Sequence, residues 1–352
     1  MPPLSSQDLD HVLANTQDVW PALAGTRLFI TGGTGFVGKW LIETFLWASD
    51  KLRLQASAVV LTRDPARFRS ESPHLANHPA ISLLRGDVRT FEFPPGDFPH
   101  VIHAATEALP CFEADVAATR RVLDFARQAG TRRLLFTSSG AVYGRQPPGL
   151  THIPEDYAGA PSTMDPETAY GQAKRASEFL CVTYARDYGF DALIARLFAF
   201  TGPHLPLDRN LAAGNFIRDA LAGGPIRVTG DGSPYRSYLY AGDMAIWLWT
   251  ILVRGEPARP YNVGSGQAVT IAELARAVVG ATDPAIRIQI AKKPVDGQPA
   301  ARYVPSVQRA AMELGLRPMI PLEQGIKNTY DWHRAEGAIK DSQPEESVPI
   351  VD

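Results

Sequence analysis

The sequence predicts an α/β fold: a Rossmann-type doubly wound parallel sheet with a smaller C-terminal lobe for substrate. Short apolar strands alternate with longer helical stretches, which is the pattern of parallel strands joined by crossover helices. A glycine-rich turn joins the first of those strands to the helix after it, and the alternation dissolves after about residue 200.

The elements follow in order. Residues 6–20 carry Leu9, Val12, Leu13, Val19 and Trp20 at loosely helical spacing, predicting one helix within an N-terminal extension spanning 1–25. Strands are expected at 27–31, 57–61, 81–84, 101–103, 133–137 and 191–196, with helices at 38–48, 115–129 and 169–188. This unit, 26–200, is the expected dinucleotide-binding domain, with parts of the later chain returning to it. In such sheets ligands lie beyond the carboxyl ends of the strands. Gly, Pro and Asn then cluster between Gly202 and Gly232. Helices at 213–222, 241–253 and 271–280 and a strand at 226–228 suggest a second lobe, mainly 201–335. The polar stretch 336–352 is expected to be a flexible tail.

Composition narrows the function classes. The chain has 352 residues, 45% hydrophobic and 20% charged, with a net charge of −2. A nearly neutral chain offers no electrostatic case for nucleic acid or an anionic membrane. The first residues are polar, without a basic start and apolar run, and no stretch approaches the roughly 20 apolar residues that span a bilayer. A cytoplasmic location is expected. Cys111 and Cys181 lack metal-type spacing, so buried free thiols and no metal are expected.

Residues 30–38 read Ile-Thr-Gly-Gly-Thr-Gly-Phe-Val-Gly. Gly32, Gly35 and Gly38 follow a strand and open a helix, where side chains would block a pyrophosphate and the helix–strand contact. Amides at the helix start, including those of Phe36 and Val37, would then hold the phosphates. The second strand ends in Thr62-Arg63-Asp64, where an acidic residue would hold the ribose hydroxyls of NAD. An uncharged Thr62 followed by Arg63 suits the 2′-phosphate of NADP, so NADP(H) is expected over NAD(H); Asp64 holding NAD is the alternative. Asp87 and Val88, after the third strand, and Ala104, after the fourth, are further cofactor positions.

Tyr170 and Lys174 stand four apart on an expected helix and project from one face. A nearby ammonium favours the phenolate, and a tyrosine so tuned can take a proton from a hydroxyl or return one to a carbonyl oxygen. Ser139, in the loop after strand 133–137, can hydrogen-bond the same oxygen. With the glycine turn, this trio resembles the extended short-chain dehydrogenase/reductase family of nucleotide-sugar epimerases, dehydratases, decarboxylases and 4-keto reductases. The likeness spans roughly 26–335. It implies Ser139, Tyr170 and Lys174 as catalytic residues, and Val142-Tyr143-Gly144 selects Ser139 over Ser138.

The resemblance also implies substrate contacts. Arg196-Leu-Phe-Ala-Phe-Thr-Gly-Pro203 resembles an Arg-x-x-Asn-x-x-Gly-Pro element, with Ala199 in place of the Asn. Arg236, before Asp243 in a matching signature, and Arg302 would meet a diphosphate, and Asn210 or Asn215 would add an amide. His204 is expected as a pocket wall or substrate hydrogen-bonder. Relatives dimerise through two helices, here 115–129 and 169–188, so a homodimer acting on a nucleotide-diphosphate sugar is implied.

Gly140 and Ala141 stand where 4,6-dehydratases carry Asp and Glu, and decarboxylases carry Glu at the position of Ala141. Both activities are therefore disfavoured in this reading. Reduction of a 4-keto sugar with NADPH is favoured, and 4-epimerisation with recycled NAD is the alternative. A non-catalytic dinucleotide sensor is the rival of another class; it has no need of Ser139, Tyr170 and Lys174 in register.

Overall fold

Seven parallel strands form the centre of the molecule. A computed structural model describes residues 1–106, 111–208, 211–295 and 297–342. In chain order the elements begin with α1 (Ser6–Ala14), β1 (Arg27–Thr31), α2 (Phe36–Leu52), β2 (Ser57–Thr62), α3 (Pro65–Glu71), α4 (Pro73–Ala76), β3 (Ile81–Arg85) and β4 (His100–His103). They continue with α5 (Phe112–Gln128), β5 (Arg133–Ser139), α6 (Ala169–Tyr188), β6 (Asp191–Leu197) and β7 (Ala199–Thr201). Then come α7 (Ala212–Leu221), β8 (Ile226–Val228), β9 (Tyr235–Arg236), β10 (Tyr238–Tyr240), α8 (Ala241–Arg254) and β11 (Pro260–Val263). The last are β12 (Val269–Thr270), α9 (Ile271–Ala281), β13 (Ile288–Ile290), β14 (Arg302–Tyr303), α10 (Gln308–Leu314) and α11 (Leu322–Ser342). Across the central sheet the order is β3-β2-β1-β4-β5-β6-β11.

The strands are apolar without a polar face because both faces are covered. On β1, Leu28 and Ile30 join the cluster under α2 and α8, while Phe29 points the other way, among Phe91, Phe98 and Phe125 on the side of α5 and α6. Helix α8 is buried on nearly every side, which explains its Met-Ala-Ile-Trp-Leu-Trp run. A third cluster, built from α7, α9, α11, β8 and β10, is the core of the smaller lobe. The strand β11 comes from the C-terminal half and adds to the edge beside β6.

Two boundary expectations change. The first helix stops at Ala14, because Asn15 caps it and the Thr16 hydroxyl turns back to the Val12 carbonyl at 2.6 Å while accepting from Trp20 Nε1. Val19 and Trp20 are buried through a separate short 3-10 turn. At the other end the polar stretch from residue 336 does not begin a tail at once, since α11 continues to Ser342 and Glu336 is buried; residues 343–352 lie outside those described. The cysteines also divide: Cys181 is buried as expected, but Cys111 is exposed at the start of α5.

Asp243 ties these pieces together. It is fully buried at the start of α8 and accepts hydrogen bonds from the amides of Met319 at 2.8 Å and Ile320 at 3.0 Å, with His11 Nε2 at 3.0 Å. Replacing Asp243 with Ala strands these buried donors and should lower unfolding free energy by about 3 kcal/mol, read by urea denaturation. A loss below about 0.5 kcal/mol would contradict this account.

Candidate active site

The glycine turn comes first because it decides where a cofactor can lie. Gly32 has φ +72°, and a Cβ there would sit 2.4 Å from the Ala104 backbone. A Cβ on Gly38 would lie 2.2 Å from the Gly32 carbonyl oxygen. The turn is thus pressed against the end of β4 and the helix against the turn, as close as backbone allows. Gly35 is the N-cap of α2 and uses no side-chain cap, so the amides of Phe36, Val37 and Gly38 are left for an anionic guest. This cradle fits the pyrophosphate of a dinucleotide.

At the far ends of β2 and β3, Thr62 is buried and Arg63 is exposed. Asp87 is gripped by Arg89 through two contacts of 2.8 and 2.9 Å. Arg89, helped by the more distant Arg63, holds the Asp87 carboxyl down at about 2. The two arginines therefore share an acidic neighbour. Val88 is half-buried beside Asp87, and Ala104 follows β4 against Gly32.

The three residues expected to react, Ser139, Tyr170 and Lys174, assemble at the carboxyl end of β5. Ser139 is the last residue of that strand, and its side chain accepts from the Ala141 amide at 3.1 Å. Helix α6 crosses above it and presents Tyr170 and Lys174. The Lys174 ammonium donates to the Thr137 carbonyl at 3.0 Å and lies 5.8 Å from the centre of the Tyr170 ring. Burial pushes Lys174 down to about 8, against the opposing pull of Asp115, Cys181 and Glu178. Tyr170 is raised, chiefly by burial, with the Ser139 hydroxyl working the other way and Asp115 adding to the rise. The lysine alone therefore does not lower this phenol in the protein as it stands.

His103, on β4 below, is held neutral at about 3 by burial and by Lys174. Its ring bridges Thr31 Oγ1 at 2.8 Å and Thr119 Oγ1 at 3.2 Å.

The expected substrate residues separate. Arg196 is not available to a substrate. Its guanidinium makes a bidentate pair with Glu178 at 2.7 and 2.9 Å and also donates to the Tyr143 hydroxyl and the Glu155 carbonyl. His204 is likewise a structural residue: its side chain is buried, 3.7 Å from Glu43 and against the Trp332 ring, in a left-handed backbone position. Arg236 and Arg302 do not share a face. Strands β9 and β14 are parallel, with Arg302 opposite Tyr235 and Tyr303 opposite Arg236. Alternation then sends Arg302 to one side, its guanidinium 3.9 Å from the Tyr235 ring centre, and Arg236 to the other, with Tyr303.

Asn215 lines a cleft of about 340 Å³ with Phe216, Arg227, Thr229, Gly230 and Pro234. Asn210 lies outside the described residues. Two residues escaped the sequence reading. Asp115 on α5 is buried and acts on both Tyr170 and Lys174. Tyr303, on β14, brings its hydroxyl up against Gly140, next to Ser139. Asp115 looked like any helical acid, and no local pattern marks Tyr303.

The model of the NAD dependent epimerase/dehydratase family matches residues 28–264. UDP-glucuronic acid decarboxylase 5 of Arabidopsis thaliana is 31% identical over 312 residues, covering 85% of this chain and 87% of the relative. UDP-glucuronic acid decarboxylase 1 of Xenopus tropicalis is 28% identical over 320 residues, 88% and 72% of the two chains. Among solved structures, UDP-glucose 4-epimerase of Thermus thermophilus, a complex with NAD, has a TM-score of 0.70 at 27% identity, covering 88% of this chain and 99% of that one. The dTDP-glucose 4,6-dehydratase DesIV of Streptomyces venezuelae, with NAD and TYD bound, has a TM-score of 0.73 at 24% identity over 89% and 98%; at that identity it shows the fold alone.

The Lys174 ammonium carries a linked prediction. A folded-state pKa pulled below the ordinary 10.5 means that the charged form is disfavoured by folding. The cost is present in full below pH 8 and fades as pH climbs from about 8 toward 10.5. A drop of that size corresponds to roughly 3 kcal/mol. Lys174→Met should therefore raise stability at pH 7, raise it less at pH 10, and cut turnover about 100-fold or more. Chemical denaturation at the two pH values, with a rate assay at pH 7, tests it; a destabilised variant at pH 7 contradicts the linkage.

Proposed function

Because the chain belongs to the NAD dependent epimerase/dehydratase family, we propose that it oxidises and then re-reduces C4 of a UDP-linked sugar, with bound NAD recycled. The observation that carries this reading is the convergence of Ser139, Tyr170 and Lys174 beside the glycine cradle. The cofactor supplies a hydride acceptor and donor at C4. Tyr170 takes the proton of the C4 hydroxyl and gives it back to the C4 oxygen, Ser139 holds that oxygen, and Lys174 stabilises the phenolate. The cleft beside Asn215 would take the nucleotide and Arg236 the diphosphate.

Among outcomes of a C4 ketone, loss of carbon dioxide from a UDP-linked uronic acid is favoured over the 4-keto reduction first expected. The curated relatives cited are UDP-glucuronic acid decarboxylases, and the chemistry tolerates Ala141. A ketone at C4 makes the C6 carboxylate a β-keto acid, whose C5–C6 electrons drain into the ketone as carbon dioxide leaves, and a proton from water then restores C5, so no side-chain acid is needed at that step. Dehydration is different, because expelling water calls for the acid and base that Gly140 and Ala141 lack. The same bare loop supports a second reading, 4-epimerisation, which needs no group beyond the trio.

For the cofactor, the proposal is NAD in place of the NADP(H) suggested by Thr62 and Arg63. The Thermus thermophilus epimerase cited above, 27% identical, is a complex with NAD, and Arg63 already interacts with Asp87. The twofold assembly is proposed on α5 and α6, which pack side by side and leave Phe112, Phe179 and Val182 exposed. Among the described residues no helix is long and apolar enough to cross a membrane.

Two experiments follow. The purified protein, denatured, should release NAD, and with UDP-glucuronic acid it should form carbon dioxide and a UDP-pentose. A C4-inverted UDP-hexose without carbon dioxide selects the second reading, and consumption of NADPH by a 4-keto sugar defeats both. Phe179→Lys should turn a dimer into a monomer by light scattering at micromolar concentration; a wild-type monomer refutes the assembly.

A further inference from the structure

Tyr303 is placed with more care than a pocket wall requires. The residue after it, Val304, receives the Ile153 amide at 2.9 Å and donates its own amide to Gln146 Oε1 at 3.0 Å. Pro305 pairs with Ile153. Gln146 and Ile153 both belong to the chain that leaves the serine loop, so the segment bearing Tyr303 is fastened to that loop. The Tyr303 ring packs on Phe198 with centroids 4.7 Å apart, and Arg236 stands opposite it on β9. Its hydroxyl is so close to the loop that a Cβ on Gly140 would lie 2.6 Å from it. That places it beside Ser139, the residue before Gly140, whose hydroxyl acts on the Tyr303 phenol.

A serine hydroxyl has one proton to donate and two acceptor positions. On Ser139 the Ala141 amide takes one acceptor position at 3.1 Å. We propose that Tyr303 is a positioning residue of the reacting centre: its hydroxyl donates into the second acceptor position of Ser139, so that the serine proton points only toward Tyr170 and the substrate oxygen. The inference rests on the reading of Ser139 and Tyr170 given above.

Tyr303 is fit to be the donor. Burial raises its phenol above the ordinary range and the proximity of Tyr170 raises it further; Ser139 lowers it only while the serine proton is turned toward Tyr303, and committing that proton to Tyr170 removes this opposition. Two phenols facing one serine cannot readily ionise together, so the one beside Lys174 becomes the base and Tyr303 keeps its proton. No atom is exchanged between Tyr303 and the sugar. Its effect is to settle which way the serine donates, and therefore how well the Tyr170 phenolate is held.

Tyr303→Phe removes one oxygen and keeps the ring on Phe198. In the NAD-loaded protein, tyrosinate absorbance, with Tyr170 assigned by subtraction of Tyr170→Phe, should place the Tyr170 ionisation about one pH unit higher in Tyr303→Phe. No sugar is needed for this measurement, so it stands even if UDP-linked sugars are not turned over. That second failure would count against the proposed function alone. Where turnover is measured, kcat should fall about tenfold with KM within about twofold. In a Ser139→Ala background the Tyr303 substitution should have no further effect on kcat. An unmoved Tyr170 ionisation, or a full loss of about tenfold persisting without Ser139, overturns the proposal.

Discussion

A buried ammonium organises this site. Lys174 is almost wholly removed from water, with the Thr137 carbonyl at 3.0 Å and the Phe136 ring 4.9 Å away. A charge in that position is costly unless its surroundings are fixed. The lysine therefore locks α6 to the end of β5, and Tyr170, one turn earlier, inherits its place from that lock. Asp115 on the neighbouring helix adds an opposing charge, and the neutral His103 fills the space beneath without adding a cation. The pairing of α5 with α6, the strand end and the Tyr170 phenol are thus parts of one electrostatic arrangement.

A second network secures the serine loop from behind. Glu178 accepts from the Ser138 hydroxyl and pairs with Arg196, which in turn donates to Tyr143. Tyr143 donates to Asn262 Oδ1 at 2.7 Å, and Asn262 donates to the Ile153 and Ser306 carbonyls. Parts of the chain distant in sequence meet here: the serine loop, α6, β6, β11 and Ser306 after β14. A buried ion pair of this kind is weak evidence for stability but fixes geometry, since every donor has one satisfactory partner. It joins the smaller lobe to the strand that ends in Ser139.

What could be read from the sequence was local. The glycine turn, Ser139 at its strand end, and Tyr170 with Lys174 on one helix face depend on spacing within a few residues, and the parallel sheet follows from strand–helix alternation. What could not be read depends on contacts across the chain. Arg196 carried the charge a diphosphate would want, but Glu178 on α6 claims it. His204 followed a plausible Gly-Pro, yet faces Glu43 and Trp332. Arg302 drew attention as a cation, while Tyr303 beside it points to the centre, because the register of two-residue strands decides the face. The helix of 6–20 overran because Thr16 closes its own turn, a side-chain bond that apolar spacing does not report.

The space above Gly140 has a consequence for how such a protein could change its chemistry. Phe198 and Tyr303 come within 2.6 Å of where a Cβ on residue 140 would be. An acquired aspartate there meets two aromatic rings before it meets any sugar. A lineage leaving this arrangement for water elimination would have to vacate the volume first, by shrinking residue 198 or 303, and gain the acid afterwards. The reverse order passes through a strained intermediate. The route between the two chemistries is therefore contingent on mutational order, and descendants that kept both rings would stay confined to reactions asking nothing of position 140.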